Sequence, residues 1–150
     1  MEYVSVSDLE EAIQLRAQTG FAVLAGGTDI YPALEQGSRL PGVIDITAVK
    51  ALRAPISRAG DVWTIPSLTT WTDLITAALP PQFDALKQAA AEVGGRQIQN
   101  AGTVGGNICN ASPAADSVPA LIAAGATASI VGPGGRREVK VEDIATGPGK

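Results

Sequence analysis

Two stretches of this 150-residue chain carry residue types suited to gripping a polar ligand. Residues 94–116 hold five glycines, three asparagines and one threonine, with a single basic residue, Arg96, and no aromatic one. Upstream, Ala25, Gly26, Gly27, Thr28, Asp29 and Ile30 form a shorter segment of the same character. Glycine lets a backbone N–H approach an anionic oxygen without a Cβ in the way. Thr28 and Thr103 add hydroxyl donors, while Asn107 and Asn110 add carboxamide N–H groups. A pyrophosphate needs several such donors at close range, so the two segments read as loops converging on one anionic cofactor. The blander readings stand beside this one. Gly-Gly pairs make ordinary turns, and Asn-rich loops satisfy their own backbone. Cys109 alone fits an inert small apolar residue, and Trp63 and Trp71 fit packing.

Composition narrows the chemistry. The chain has no histidine, which removes Ser-His-Asp and Cys-His catalysis and HExxH zinc sites. With one cysteine it can form no intrachain disulfide, no four-cysteine iron–sulfur cluster and no zinc knuckle. A net charge of −4 gives no electrostatic footprint for nucleic acid, so an anion must be held by local dipoles. The N-terminus lacks a basic and an apolar leader region, and no run approaches the ~18 apolar residues of a membrane span. The expectation is a soluble, cytoplasmic protein. A glycine pattern of the Rossmann type is absent, since the spacing is Gly102-x-x-Gly105-Gly106. The final Gly147, Pro148, Gly149 and Lys150 do not make a P-loop, because Ile144 stands where its first glycine belongs. They read as a chain cut short in a loop.

The elements that must position these segments follow from pattern. Val4 and Val6 alternate as a short strand would. Ser7 and Glu10 match a capping box for a helix carrying Leu9, Ala12, Ile13 and Arg16 and stopped by Gly20. Phe21, Ala22, Val23, Leu24 and Ala25 read as a buried strand running into Gly26 and Gly27, with Thr28 and Asp29 starting a helix. Val43 to Ile46 and Val62 to Ile65 are further strands, and Thr70 with Asp73 begins another capped helix. Phe83, Leu86, Ala90 and Val93 mark a helix that Gly94 and Gly95 end, opening the long loop. Asp116 and Ser117 cap a short helix through Leu121 and Ile122, ended by Gly125. Residues 127–131 and 137–141 form a hairpin across Gly132, Pro133, Gly134 and Gly135. Helices and strands mingle without a regular βαβ rhythm, so the expected class is α+β, with lobes of residues 1–50 and 51–150. Pro80 is a further candidate boundary.

At these residues the sequence resembles a known family. The run Ala25, Gly26, Gly27, Thr28, Asp29, together with residues 100–107 and then Asn110, Ala111, Ser112, Pro113, Ala114, Ala115, Asp116, is similar to the FAD-binding subunit of molybdenum hydroxylases. These are the xanthine dehydrogenase, aldehyde oxidase and aerobic carbon monoxide dehydrogenase group. The resemblance implies a two-lobed FAD-binding fold of the vanillyl-alcohol oxidase (PCMH) type, with FAD between the lobes. Carried over by position, Ala25, Gly26, Gly27, Thr28, Asp29 and Ile30 form the first pyrophosphate loop. Thr103, Val104, Gly105, Gly106 and Asn107 form the second, through backbone amides and the Thr103 and Asn107 side chains. Asn110 and Asp116 sit nearer the ribityl chain and flavin ring, Asp116 competing as a helix cap; Val93 and Gly94 lie near the isoalloxazine.

The resemblance also implies partners. A molybdopterin-binding large subunit hydroxylates substrate, and a small subunit with two [2Fe–2S] clusters relays electrons. The flavin subunit passes them to NAD⁺, a quinone or O₂. Relatives continue into a C-terminal domain, which this sequence is expected to lack. No residue of this chain is expected to be catalytic or to bind metal, because the cofactor carries the redox chemistry. Two rivals remain: a non-catalytic fragment or interaction module without flavin, and a stand-alone flavin oxidoreductase akin to the cell-wall precursor reductase.

Overall fold

The computed structural model describes residues 1–149. The first part runs β1 (Glu2–Ser5), α1 (Leu9–Thr19), β2 (Ala22–Leu24), α2 (Ile30–Glu35) and β3 (Gly42–Asp45). Its three strands pair in parallel in the order β1-β3-β2, with Val4 and Val23 both registered against Ile44. This is a β–α–β–α–β unit, which corrects the reading that no such rhythm exists. Each of the five elements was expected singly, but β2 and α2 are short and give no sign that the three strands pair in parallel.

Cap chemistry sets where α1 begins. Both Ser7-x-x-Glu10 and Asp8-x-x-Glu11 fit the capping pattern, and the chain uses the second. Asp8 is extended at φ −112° and its Oδ1 accepts the Glu11 N–H at 3.0 Å, so the Ser7 cap is not formed. Gly20, at φ 69°, closes the helix by donating to the Arg16 carbonyl, as the sequence implied. Val4, Val6, Ile44 and Ile46 then share one sheet face with Ala12, Leu9 and Leu15 of α1 and with Val49.

The opposite face carries a polar exception. Asp45 is buried at 9% exposure and accepts from the Tyr3 hydroxyl and, at 2.8 Å, from the Thr47 N–H. Burial alone pushes the Asp45 carboxyl up, but those hydrogen bonds outweigh it and hold the group below the ordinary carboxylate range. β3 is central and buried along its whole length, so a charge there needs partners.

The second part opens with a hairpin of β4 (Ser57–Ala59) and β5 (Val62–Thr64), of which only β5 was expected. α3 (Trp71–Thr76) has the anticipated capped start, and the cap is a reciprocal box: Thr70 accepts the Asp73 N–H and Asp73 accepts the Thr70 N–H. Four more α-helices follow among the described residues: α4 (Asp84–Glu92), α5 (Arg96–Ala101), α6 (Val104–Asn110) and α7 (Ser117–Ala123). β6 (Thr127–Gly132) and β7 (Gly135–Lys140) form the expected hairpin, turning at Pro133 and Gly134. Trp71, Leu74, Leu86, Ala90, Val104, Leu121 and Val141 make a second core, separate from that of the sheet. Pro80 lies between α3 and α4, which both contribute to it.

Two expectations fail here. Residues 94–116 are not one long loop, since α5 and α6 occupy most of them. Each glycine in a helix costs about 1 kcal/mol relative to alanine, but the Thr103 cap and tertiary packing of Val104 override that preference. Asp116 stands at the start of α7 yet makes no side-chain cap bond, its backbone being already helical at φ −60° and ψ −30°.

The Asp45 pairing yields a pH signature. A carboxyl held below its ordinary range stabilises the fold above about pH 4 and ceases to do so once protonated. Tyr3→Phe is therefore expected to lower the melting temperature at neutral pH, with the deficit shrinking as the solution is acidified through the carboxylate range. A deficit that stays constant on acidification would contradict this account.

Candidate functional site

The two glycine segments meet. A Cβ on Gly26 would overlap the Ala101 carbonyl oxygen at the end of α5, so the backbones touch where only glycine fits. Three residues on, the Asn110 carboxamide at the end of α6 donates to Asp29 Oδ1 at 3.0 Å. Those two contacts join the sheet part to the helical part along one line. Thr72 Oγ1 in turn holds Asn100 Oδ1 at 2.5 Å, tying α5 to α3.

The first segment leaves its donors open. Gly27 is buried with φ 71° and lies under the Tyr31 ring, and its carbonyl accepts the Tyr31 N–H at 3.0 Å. Among the described residues, no protein acceptor takes the N–H groups of Gly26, Gly27, Thr28 or Asp29, nor the Thr28 hydroxyl. Ala25, Thr28 and Ile30 are half-buried around this turn, and the Asp29 carboxylate is engaged by Asn110. A short helix-like turn with unclaimed amides is complementary to anionic oxygens.

The second segment is arranged differently from expectation. The N–H groups of Val104 and Gly105 donate to the carbonyls of Thr69 and Ser67 at 3.0 and 2.9 Å. Gly106 donates to Thr103 Oγ1 at 3.1 Å and Asn107 to the Thr103 carbonyl at 3.0 Å. Backbone donation from these four residues, expected from the sequence, is thus committed to the protein itself. Gly105 has a packing reason to be glycine, because a Cβ would come within 2.7 Å of Ser67 Cβ. Val104 faces the helical core, and Thr103, buried, works as the α6 cap beside Thr70.

What α6 offers outward is side chains. Asn107 accepts from the buried Ser117 hydroxyl at 2.6 Å, leaving its NH₂ without a protein partner among the described residues. Asn110 lies one turn further along the same face. Asp116 is exposed, Val93 packs on the helical core, and Gly94, at φ 56°, sits against Ile98. Cys109 reaches the surface, yet desolvation by its surroundings pushes its thiol up, which disfavours a reactive thiolate. Sequence reasoning missed Ser67 and Thr69, read Ser117 only as a cap and gave Ala101 no role of its own; what they do arises from long-range contacts with no local signature.

The glycine turn with its unclaimed amides is complementary to an anionic group, so the residues present fit the phosphate part of an anionic cofactor. The chain belongs to the family of FAD binding domains in molybdopterin dehydrogenases, whose model matches residues 1–150. It is 36% identical to a xanthine dehydrogenase FAD-binding subunit of Escherichia coli O157:H7, over 99% of this chain and 52% of that relative. It is 31% identical to the carbon monoxide dehydrogenase medium chain of Hydrogenophaga pseudoflava, over 97% and 52%. A solved carbon monoxide dehydrogenase of Hydrogenophaga pseudoflava superposes with a TM-score of 0.86 at 31% identity, covering 95% of this chain and 50% of that one. Reconstituted CO dehydrogenase from Oligotropha carboxidovorans gives 0.94 at 25% identity, covering 100% and 54%. The chain spans about half the length of these relatives.

Two substitutions test the geometry. Gly26→Ala drives a Cβ into backbone that cannot yield, and is expected to cost about 1–3 kcal/mol and to lower FAD affinity. Gly95→Ala, where the added Cβ meets open space, serves as the tolerated control. Ala111 ends α6 at φ 48°, a left-handed conformation that disfavours alanine. Ala111→Gly is expected to raise stability by about 0.5–1 kcal/mol in denaturant titration.

Proposed function

We propose that this chain is the electron-transfer flavin unit of a cytoplasmic molybdenum hydroxylase. In this reading it takes electrons from [2Fe–2S] clusters on a partner subunit and delivers them to NAD⁺, a quinone or O₂. Substrate hydroxylation belongs to a molybdopterin-binding large subunit. The observation that carries the proposal is the meeting of the unclaimed amides of residues 26–29 with the outward carboxamides of α6, joined by the 3.0 Å Asn110–Asp29 bond.

The two cores support a division near residue 50, with FAD between lobes of the vanillyl-alcohol oxidase (PCMH) type. Gly26, Gly27, Thr28 and Asp29 would donate to the pyrophosphate, flanked by Ala25 and Ile30. Asn107 would donate through its side chain, and Thr103, Val104, Gly105 and Gly106 would hold α6 in place for it. Asn110 and Asp116 would border the ribityl end. FAD, when bound, supplies the redox exchange; the residues of this chain bind, orient and shield it. No histidine or cysteine cluster is needed for that role, since the clusters sit on another subunit.

The visible spectrum after FAD loading and desalting tests this reading. Retained flavin absorbance, bleached on addition of a reduced cluster-bearing partner and recovered with an acceptor, is the expected result. Absence of retained flavin would favour a non-binding module, and turnover without any partner would favour a stand-alone flavin oxidoreductase.

A further inference from the structure

We infer that Ser117 is a positioning residue that fixes which face of the Asn107 carboxamide meets the cofactor. The inference rests on the flavin-binding reading above and adds a role for a residue that touches no ligand. Ser117 is the first residue of α7 and is 0% exposed. A buried hydroxyl must find an acceptor, and this one donates to Asn107 Oδ1 at 2.6 Å. A carboxamide has one acceptor end and one donor end, and its terminal torsion is broadly two-fold. Either end can therefore face out unless something selects between them. With the oxygen committed to Ser117, the NH₂ is directed the other way.

The surroundings say where the NH₂ points. It has no protein partner among the described residues, yet no partnerless side-chain nitrogen or oxygen there is sealed from solvent, so the NH₂ reaches accessible space. Asn110, three residues along α6, shares that face and reaches Asp29 of the first glycine segment. The Asn107 NH₂ thus opens on the flank of α6 that Asn110 joins to the first glycine segment. All four amides of residues 104–107 are committed internally, so this side chain is the main donor that the start of α6 can offer. Without Ser117 the carboxamide is free to turn its oxygen outward, and an acceptor would then confront an anionic ligand.

FAD affinity, titrated by equilibrium fluorescence for the wild type, Ser117→Ala, Asn107→Ala and the double variant, tests this. Each single change is expected to weaken binding about tenfold, or about 1.4 kcal/mol, with the double variant no weaker than Asn107→Ala. That non-additivity is what a merely structural serine would not produce. Unchanged affinity in Ser117→Ala, or two effects that multiply, overturns the inference. Should Ser117→Ala fail to fold, Asn107→Asp replaces it. Asp keeps an oxygen for Ser117 and turns the outward donor into a charged acceptor, so it must bind FAD more weakly than Asn107→Ala; equal or tighter binding overturns the inference. A wild-type chain that takes no FAD would sink the flavin reading instead. NMR of the free protein then decides the orientation. Asn107 side-chain NH₂ protons remote from the Ser117 β protons support it, and close contacts between them refute it.

Discussion

The close approach of Gly26 to the Ala101 carbonyl is the constraint on which the rest of the site depends. It brings the end of β2 against the end of α5 with no side chain between them. With that contact made, the turn after Gly26 lies close enough to the end of α6 for Asn110 to reach Asp29. A methyl group at this one position would separate the two cores at the point where they must agree. The donor geometry is therefore set by backbone packing first and by polar side chains second.

The helical part supports that contact through two threonines. Thr70 and Thr103 are both buried, are paired as an isolated antiparallel bridge, and each caps a helix, α3 and α6 respectively. Two helices thus spring from neighbouring points on extended backbone, with Trp71 and Val104 entering the same core one residue later. Satisfying the first-turn amides from within leaves α6 rigid and electrically quiet at its start. What it presents along its flank is then carboxamides, neutral groups that add no charge to a chain already at −4.

Local chemistry was legible in the sequence where one residue decides one feature. Gly20, the Thr70–Asp73 box and the Pro133–Gly134 hairpin all behave as their residue types dictate. Asp8 prevailed over Ser7 because both fit the same cap pattern one residue apart, and composition alone cannot rank them. The glycines of residues 94–116 misled for a clearer reason. Gly105 lies in α6, where Ser67 leaves no room for a Cβ, and Ser67 comes from a distant part of the chain. Likewise the amides of Val104 and Gly105 look free in the sequence, and only the fold reveals their acceptors at Thr69 and Ser67. The residue types of the site were readable; which donor faces a ligand was decided by long-range pairing.

The Asn110–Asp29 bond spans 81 residues of sequence, and this has a consequence for biogenesis. At about 5–20 residues per second on the ribosome, Asn110 is made several seconds after Asp29. The parallel sheet packs on α1 and on Val49, all made before Asn110, so its own packing partners are present in that interval. Its glycine turn must then wait, half a site with open amides, until α5 and α6 arrive. On the proposed reading flavin capture is accordingly a late event, since nascent chains arrested before α6 would lack the carboxamides of its flank.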